Sequence, residues 1–184
     1  MPRLPELHAT PRLLLRTWKE EDAGALSSAV SESLHHLRPW MPWAASEPLP
    51  LADRRRLIAE WDQAWQSGDE AVYGVFLDGA VIGGCGLHAR RGPCVLEIGY
   101  WIHVDFLRRG YATELSAALT GLAFGLDDIE RVELHHDRAN VASRGVPVAL
   151  GYELVTERPD PVTAPGEEGV DCTWVMTRGR WRER

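Results

Sequence analysis

Residues 97 to 113, EIGYWIHVDFLRRGYAT, constrain the fold of this chain more tightly than any other stretch. A run rich in β-formers stops, an Arg108-Arg109-Gly110 turn follows, and an amphipathic pattern starts at once with Tyr111, Ala112 and Thr113. A strand that passes through a glycine turn into a helix N-terminus collects backbone N–H groups and the positive end of the helix dipole at one spot. That arrangement suits a pyrophosphate. Gly110 permits the close backbone approach, and Arg108 or Arg109 can add charge. Taken alone, the turn reads equally well as a plain strand-to-helix connection with solvated arginines. The G-x-G-x-x-G fingerprint of dinucleotide sites is absent.

The remaining pattern alternates hairpins with helices. Strands are predicted over 12–18, 71–77, 80–87, 95–104, 131–135, 153–158 and 172–177. Helices are predicted over 19–30, 51–66, 111–124 and 141–150. Asp78-Gly79 is a hairpin turn signal, and Gly151 is a natural helix stop. Residues 33–50, rich in proline, read as irregular, and 159–169 as a long Pro/Gly loop. This mixture implies an α+β sheet and not an all-parallel one.

Length and charge narrow the function. A chain of 184 residues fits one domain, spanning 1–184, with a sizeable core. A net charge of −7 argues against a nucleic-acid partner and suits a cationic one. There is no membrane-length apolar run and no secretory h-region, so a cytoplasmic protein without membrane association is expected. Cys85, Cys94 and Cys172 lack metal-type spacing and read as reduced thiols. His135-His136 put one imidazole on each face of a strand, so no metal site is expected.

In order and spacing, several motifs together resemble the GNAT acyltransferases, in particular the RimJ/RimL branch of ribosomal-protein and small-molecule N-acetyltransferases. They are Thr10-Pro11-Arg12-Leu13-Leu14-Leu15-Arg16, then Glu97-Ile98-Gly99-Tyr100-Trp101, then Arg109-Gly110-Tyr111-Ala112-Thr113-Glu114, then Asn140-x-x-Ser143 and Leu150-Gly151-Tyr152. The resemblance covers nearly the whole chain. It implies a GNAT fold: a central mixed, mostly antiparallel sheet, splayed between its fourth and fifth strands and flanked by helices. It implies acetyl-CoA as acyl-donor substrate, no metal, and a homodimer. Pantetheine would lie in the splay, against the backbone of Ile102, His103 and Val104. The pyrophosphate would sit on Arg108, Arg109, Gly110, Tyr111, Ala112 and Thr113. In this chain Leu107 takes the first place of the family turn, and Arg108 replaces a common glycine.

Acyl transfer to an amine has its own demands. An ammonium ion must lose a proton before it attacks a thioester, the oxyanion needs a donor, and the departing thiolate benefits from a proton. Glu97 is the candidate base, through a water, and a backbone N–H near Val104 the candidate oxyanion donor. Ser143 resembles the family serine beside the thioester sulfur. Asn140 would hold pantetheine or cap a helix. Pro147, inside the same short helix, is a departure that is expected to disturb Ser143. The segment 34–43 resembles the acceptor side of this branch. His35 and His36 would hydrogen-bond the acceptor there, and Trp40 and Trp43 would either wall the acceptor or pack a lid on the sheet. The expected function is transfer of an acetyl group from CoA to a primary amine on a protein N-terminus, peptide or small molecule. The alternative is a catalytically inactive acyl-CoA sensor or interaction protein on the same fold.

Overall fold

The computed structural model describes residues 4–68 and 70–184. The strands are β1 (Leu7–Ala9), β2 (Leu14–Thr17), β3 (Glu70–Leu77), β4 (Ala80–His88), β5 (Val95–Ile102), β6 (Arg131–Asp137), β7 (Glu153–Pro159) and β8 (Val170–Thr177). The helices are α1 (Ala23–Leu37), α2 (Leu51–Ser67), α3 (Tyr111–Phe124), α4 (Val141–Leu150) and α5 (Arg178–Arg182). The strands make one eight-stranded sheet in the order β1-β2-β3-β4-β5-β6-β8-β7. All neighbours are antiparallel except β5 and β6. The α+β class and the mostly antiparallel sheet are those the sequence predicts. Among the described residues no helix is long and apolar enough to cross a membrane.

The parallel pair is short. It runs from Val95↔Arg131 to Ile98↔Leu134 and stops, although β5 continues to Ile102 and β6 to Asp137. The two strands part beyond that point. This is the splay expected between the fourth and fifth strands; the extra strand β1 shifts the count by one.

Alternation of side chains gives the sheet two apolar faces. Ala71, Tyr73 and Val75 of β3 join a core with Leu115 and Leu119 of α3 and Val146 and Leu150 of α4. Val72 of the same strand packs against the other cluster, with Leu26 and Val30 of α1 and Ile58 of α2. In the first core, Thr120 and Tyr152 share a buried 2.6 Å hydrogen bond between their hydroxyls.

Several boundaries differ from the sequence reading. A 3-10 turn (Glu20–Asp22) precedes α1, and α1 runs on to Leu37, not Val30. Its buried stripe of Leu26, Val30, Ser33 and Leu37 keeps helical spacing, and the first proline comes only at Pro39. β1 has three residues, too few to show a period. β5 ends at Ile102 because His103 caps a 3-10 turn (Val104–Phe106), its side chain accepting from Asp105 N. α4 runs unbroken from Val141 to Leu150 despite Pro147. The proline leaves the Ser143 carbonyl without its intrahelical donor.

The loop between β7 and β8 is tied down by one carboxylate. Asp137 accepts backbone N–H groups from Ala139 at 2.8 Å, Glu168 at 3.1 Å, Gly169 at 2.9 Å and Val170 at 3.1 Å. Desolvation raises its pKa, but these four donors outweigh it and hold the carboxyl below the usual range. A lowered carboxylate stabilises the fold above its unfolded pKa of about 3.9 and loses that contribution as pH falls through the folded value. Asp137→Ala should therefore cost about 1–2 kcal/mol at neutral pH, after discounting for its partial exposure. Urea titrations at descending pH should show the gap between wild type and variant closing below about pH 4.

Candidate active site

The splay opens into a cavity of about 870 Å³. Strand register decides which side chains reach it. Glu97, Gly99 and Trp101 of β5 share one face, opposite His88, Gly86 and Gly84 of β4. Beyond the parallel pairing of Glu97 with Glu133, His135 lies opposite Thr173, and Asp137 opposite Asp171. Glu97, Glu133, His135, Thr173 and Asp171 therefore form one polar row on the α1/α2 face. Leu26 and Val30 of α1, Leu57 and Trp61 of α2, and segments 40–49 and 160–167 help enclose the cavity above this row.

The opposite face holds a second set. Tyr100, out of phase with Glu97 on the strand, lies within influence of Ser143, which lowers its pKa, but burial is the larger effect and pushes its hydroxyl up to about 12. Asn140 caps α4, its Oδ1 accepting from Ser143 N at 3.1 Å. Asn140, Ser143 and Tyr100 line the same cavity as Glu97 and His135. Groups from two faces of a sheet can share one cavity only where strands part.

Glu97 is 5% exposed and accepts from both Arg90 and Arg91. Its burial would raise the pKa, but hydrogen bonds and charge from the two arginines outweigh this and lower it. The group is a carboxylate at neutral pH. Beside it lies a cluster that the sequence did not single out. His135 Nε2 is 2.9 Å from Glu133 Oε2, and its Nδ1 is 3.2 Å from Asp171 Oδ1. Desolvation lowers the His135 pKa, but the carboxylates on both sides win and raise it. The partner imidazole behaves oppositely. His136 Nδ1 faces the Asp137 carbonyl, its Nε2 accepts from Trp174 Nε1 at 2.9 Å, and burial lowers its pKa. The i, i+2 spacing of Glu133, His135 and Asp137 was the available sequence signal; which strand faced them was not visible.

Beyond β5 the chain enters the predicted pyrophosphate turn. Arg108 has φ +61° and Gly110 has φ +80°, and Gly110 is the N-cap of α3. Arg108 thus holds the left-handed conformation that a glycine adopts freely, at a cost of about 1 kcal/mol. The first bond into the helix is Glu114 N to Gly110 O at 3.0 Å. The N–H groups of Tyr111, Ala112 and Thr113 precede that bond and have no intrahelical acceptor. Arg12, also missed, braces the turn: it donates to Arg109 O at 3.0 Å and to Glu114 at 2.6 Å, and lies over the Tyr111 ring.

The other predicted contacts divide. His103 N–H donates to Ile82 O at 2.8 Å, and Val104 N–H to Ser33 Oγ at 3.1 Å. Backbone alternation then turns the main-chain groups of Tyr100 and Ile102 towards the splay. Trp40 and Trp43 line the cavity. His35 and His36 sit in the last turn of α1, and the cavity lining does not include them. Among the described residues, one trio, Glu32, His103 and Asp105, is close enough to hold a metal. Yet His103 Nδ1 accepts from Asp105 N at 3.2 Å, which puts the proton on Nε2, facing Glu32 at 3.1 Å. That is a hydrogen-bonded pair, with no lone pair directed at an ion.

Residues 12–153 match the family model described as "Acetyltransferase (GNAT) domain". The curated protein "Putative ribosomal N-acetyltransferase YdaF" of Bacillus subtilis (strain 168) is 27% identical over 146 residues, 79% of this chain and 78% of that protein. Among solved structures, a RimL ribosomal L7/L12 alpha-N-protein acetyltransferase in complex with coenzyme A superposes with a TM-score of 0.84 at 20% identity, covering 96% of this chain and 98% of its own. The Mycobacterium smegmatis RimJ in complex with CoA-disulfide gives 0.78 at 20% identity, covering 91% and 82%.

Proposed function

The chain belongs to the GNAT acetyltransferase family, and on that premise we propose that it is an N-acetyltransferase that moves an acetyl group from acetyl-CoA to a primary amine. The acceptor is a protein N-terminus, a peptide or a small-molecule amine. The observation that carries this reading is the single cavity joining Glu97 and His135 on one face to Tyr100 and Ser143 on the other. The CoA bound by the RimL and RimJ neighbours supports the donor. The reading keeps one catalytic domain over 1–184, a homodimer and a cytoplasmic setting, and it uses no metal.

The donor would enter from the α3/α4 side. N–H groups of Tyr111, Ala112 and Thr113 would bind the pyrophosphate, with Arg108, Arg109 and Gly110 completing the turn. The free backbone groups of Tyr100 and Ile102 would pair with pantetheine along the splay, past His103 and Val104. Asn140 would hold α4 in place beside it. The acceptor would enter from the α1/α2 side, along Trp40 and Trp43, with His35 and His36 farther out.

Two protons must move. Glu97 takes the first from the ammonium through a water, and the proton leaves to solvent. The freed nitrogen attacks the thioester carbon, and the developing oxyanion is met by a backbone N–H of β5. The C–S bond then breaks. Ser143 gives its hydroxyl proton to the sulfur and takes back the second proton, which the nitrogen sheds as it becomes the amide. Amide, CoA thiol and one released proton balance the reaction. Arg90 and Arg91 keep Glu97 ionised, and so always able to accept, at the expense of its basicity.

The test is CoA release, followed with a thiol reagent, from purified protein, acetyl-CoA and a panel of peptides and amines. Acceptor-dependent release supports transfer. CoA binding with no release on any amine would favour the acyl-CoA sensor.

A further inference from the structure

Five of the eight tryptophans, Trp18, Trp40, Trp43, Trp61 and Trp101, line the cavity. The sheet beneath them is cut back to make room. A Cβ on Gly84 would lie 2.6 Å from Trp101 Nε1, and one on Gly74 would lie 2.5 Å from the Phe76 ring and 3.1 Å from the Trp18 ring. Both glycines are in strand interiors, where glycine weakens the strand relative to alanine. Trp18 and Trp61 then pack as a pair, ring centroids 6.3 Å apart.

Trp43 is different. It stands edge-on to Trp101, 6.4 Å between centroids, and is 41% exposed. An indole placed only to stabilise the fold would be covered, since burial is what it gains from packing. Trp43 stays exposed instead, and it lines the cavity. The same walls carry Asp160, Glu167 and Asp171. Glu167 is engaged with Thr163 and Ala164, and Asp171 with His135. Asp160 has no side-chain partner among the described residues, which leaves one carboxylate at the wall for a cation.

Resting on the amine-acceptor reading above, we propose that the acceptor carries a planar aromatic ring near its amine, seated against Trp43 and Trp101. Its ammonium is drawn in by Asp160, the wall carboxylate left without a side-chain partner among the described residues. Aromatic pairs contribute about 0.5–1.5 kcal/mol beyond their buried area, which is roughly two- to tenfold in affinity.

The test uses two probes with the same amine, spacer and ring size: 2-phenylethylamine and 2-cyclohexylethylamine. Each is titrated by calorimetry into the full chain saturated with CoA. A merely greasy pocket favours the saturated ring, which is the more apolar. The aromatic site favours 2-phenylethylamine, by roughly five- to tenfold. Trp43→Ala should reduce that preference to less than about twofold, and Trp43→Phe should keep most of it. Circular dichroism confirms that both variants fold. Equal affinities, tighter binding of the saturated ring, no saturable binding of either probe, or a preference that survives Trp43→Ala would each overturn the proposal. CoA release from acetyl-CoA is read separately. Tighter binding of 2-phenylethylamine without release upholds the ring site and counts against transfer. Release with equal binding does the reverse.

Discussion

Glu97→Gln should lower kcat by about 10²–10³-fold, within the range for a general acid or base. The measurement is initial-rate CoA release with the best acceptor, wild type and variant side by side. The amide matches the carboxylate in shape but offers one acceptor oxygen where the two arginines used two, so one arginine keeps its bond and the other turns to solvent. Both arginines are partly exposed, 57% and 33%, so water covers most of that loss, and the denaturation midpoint should hardly move. The pairing of a large kinetic effect with a small stability effect is the signature sought. A variant that retains more than about one tenth of wild-type activity would remove Glu97 as base and leave it as the anchor of the two arginines. Attention would then pass to His135, which shares its face of the sheet.

Arg54→Met should have the largest effect on stability, about 3–5 kcal/mol. Arg54 is 3% exposed, and its Nη2 donates to both oxygens of Glu47, at 2.6 and 2.7 Å. Glu47 is itself 7% exposed and also receives Leu49 N at 2.9 Å. Removing the guanidinium strands a carboxylate out of water, so the loss is mostly the cost of that unpaired charge. Urea denaturation should show it directly. Removing both charges, as Arg54→Met with Glu47→Leu, should recover most of the loss, because a well-packed apolar pair of similar volume does about as well. A double variant no better than Arg54→Met would mean that the guanidinium matters for its packing and not for the charge it neutralises. Glu47 closes the segment that carries Trp40 and Trp43, so the single variant should also weaken acceptor binding.

Much of the fold was legible in local pattern. Asp78-Gly79 marked its hairpin, and Gly110 and Gly151 marked helix ends. α3 and α4 fell on their predicted residues because their apolar spacing and end signals are contained within each segment. The misreadings came where the signal was brief or masked. β1 is too short to show alternation, and the paired histidines and nearby prolines hid the last turns of α1. The Pro147 disturbance did not arise, since α4 is anchored by the Asn140 cap and by buried Val146 and Leu150.

The candidate site divides along the same line. The pyrophosphate turn, Asn140 and Ser143 belong to short contiguous motifs, and sequence alone determined them as candidates, together with the fold class. Glu97 was named as a lone residue on a strand; its two arginines come from a turn whose conformation no period encodes. Arg12 meets Glu114 from 102 residues away, and Asp171 meets His135 from 36. The first depends on how α3 packs beside the residues before β2; the second depends on the register of β6 against β8, where a slip of one residue would send each side chain to the opposite face. The tryptophan chamber depends on the register of β4 against β5, which brings Gly84 opposite Trp101. Local residue order fixes which elements form and which turns can hold an anion, because those choices are made within a few bonds. Only the tertiary structure decided what faces what across the splay, because pairing between distant strands is set by the burial of a whole face at once.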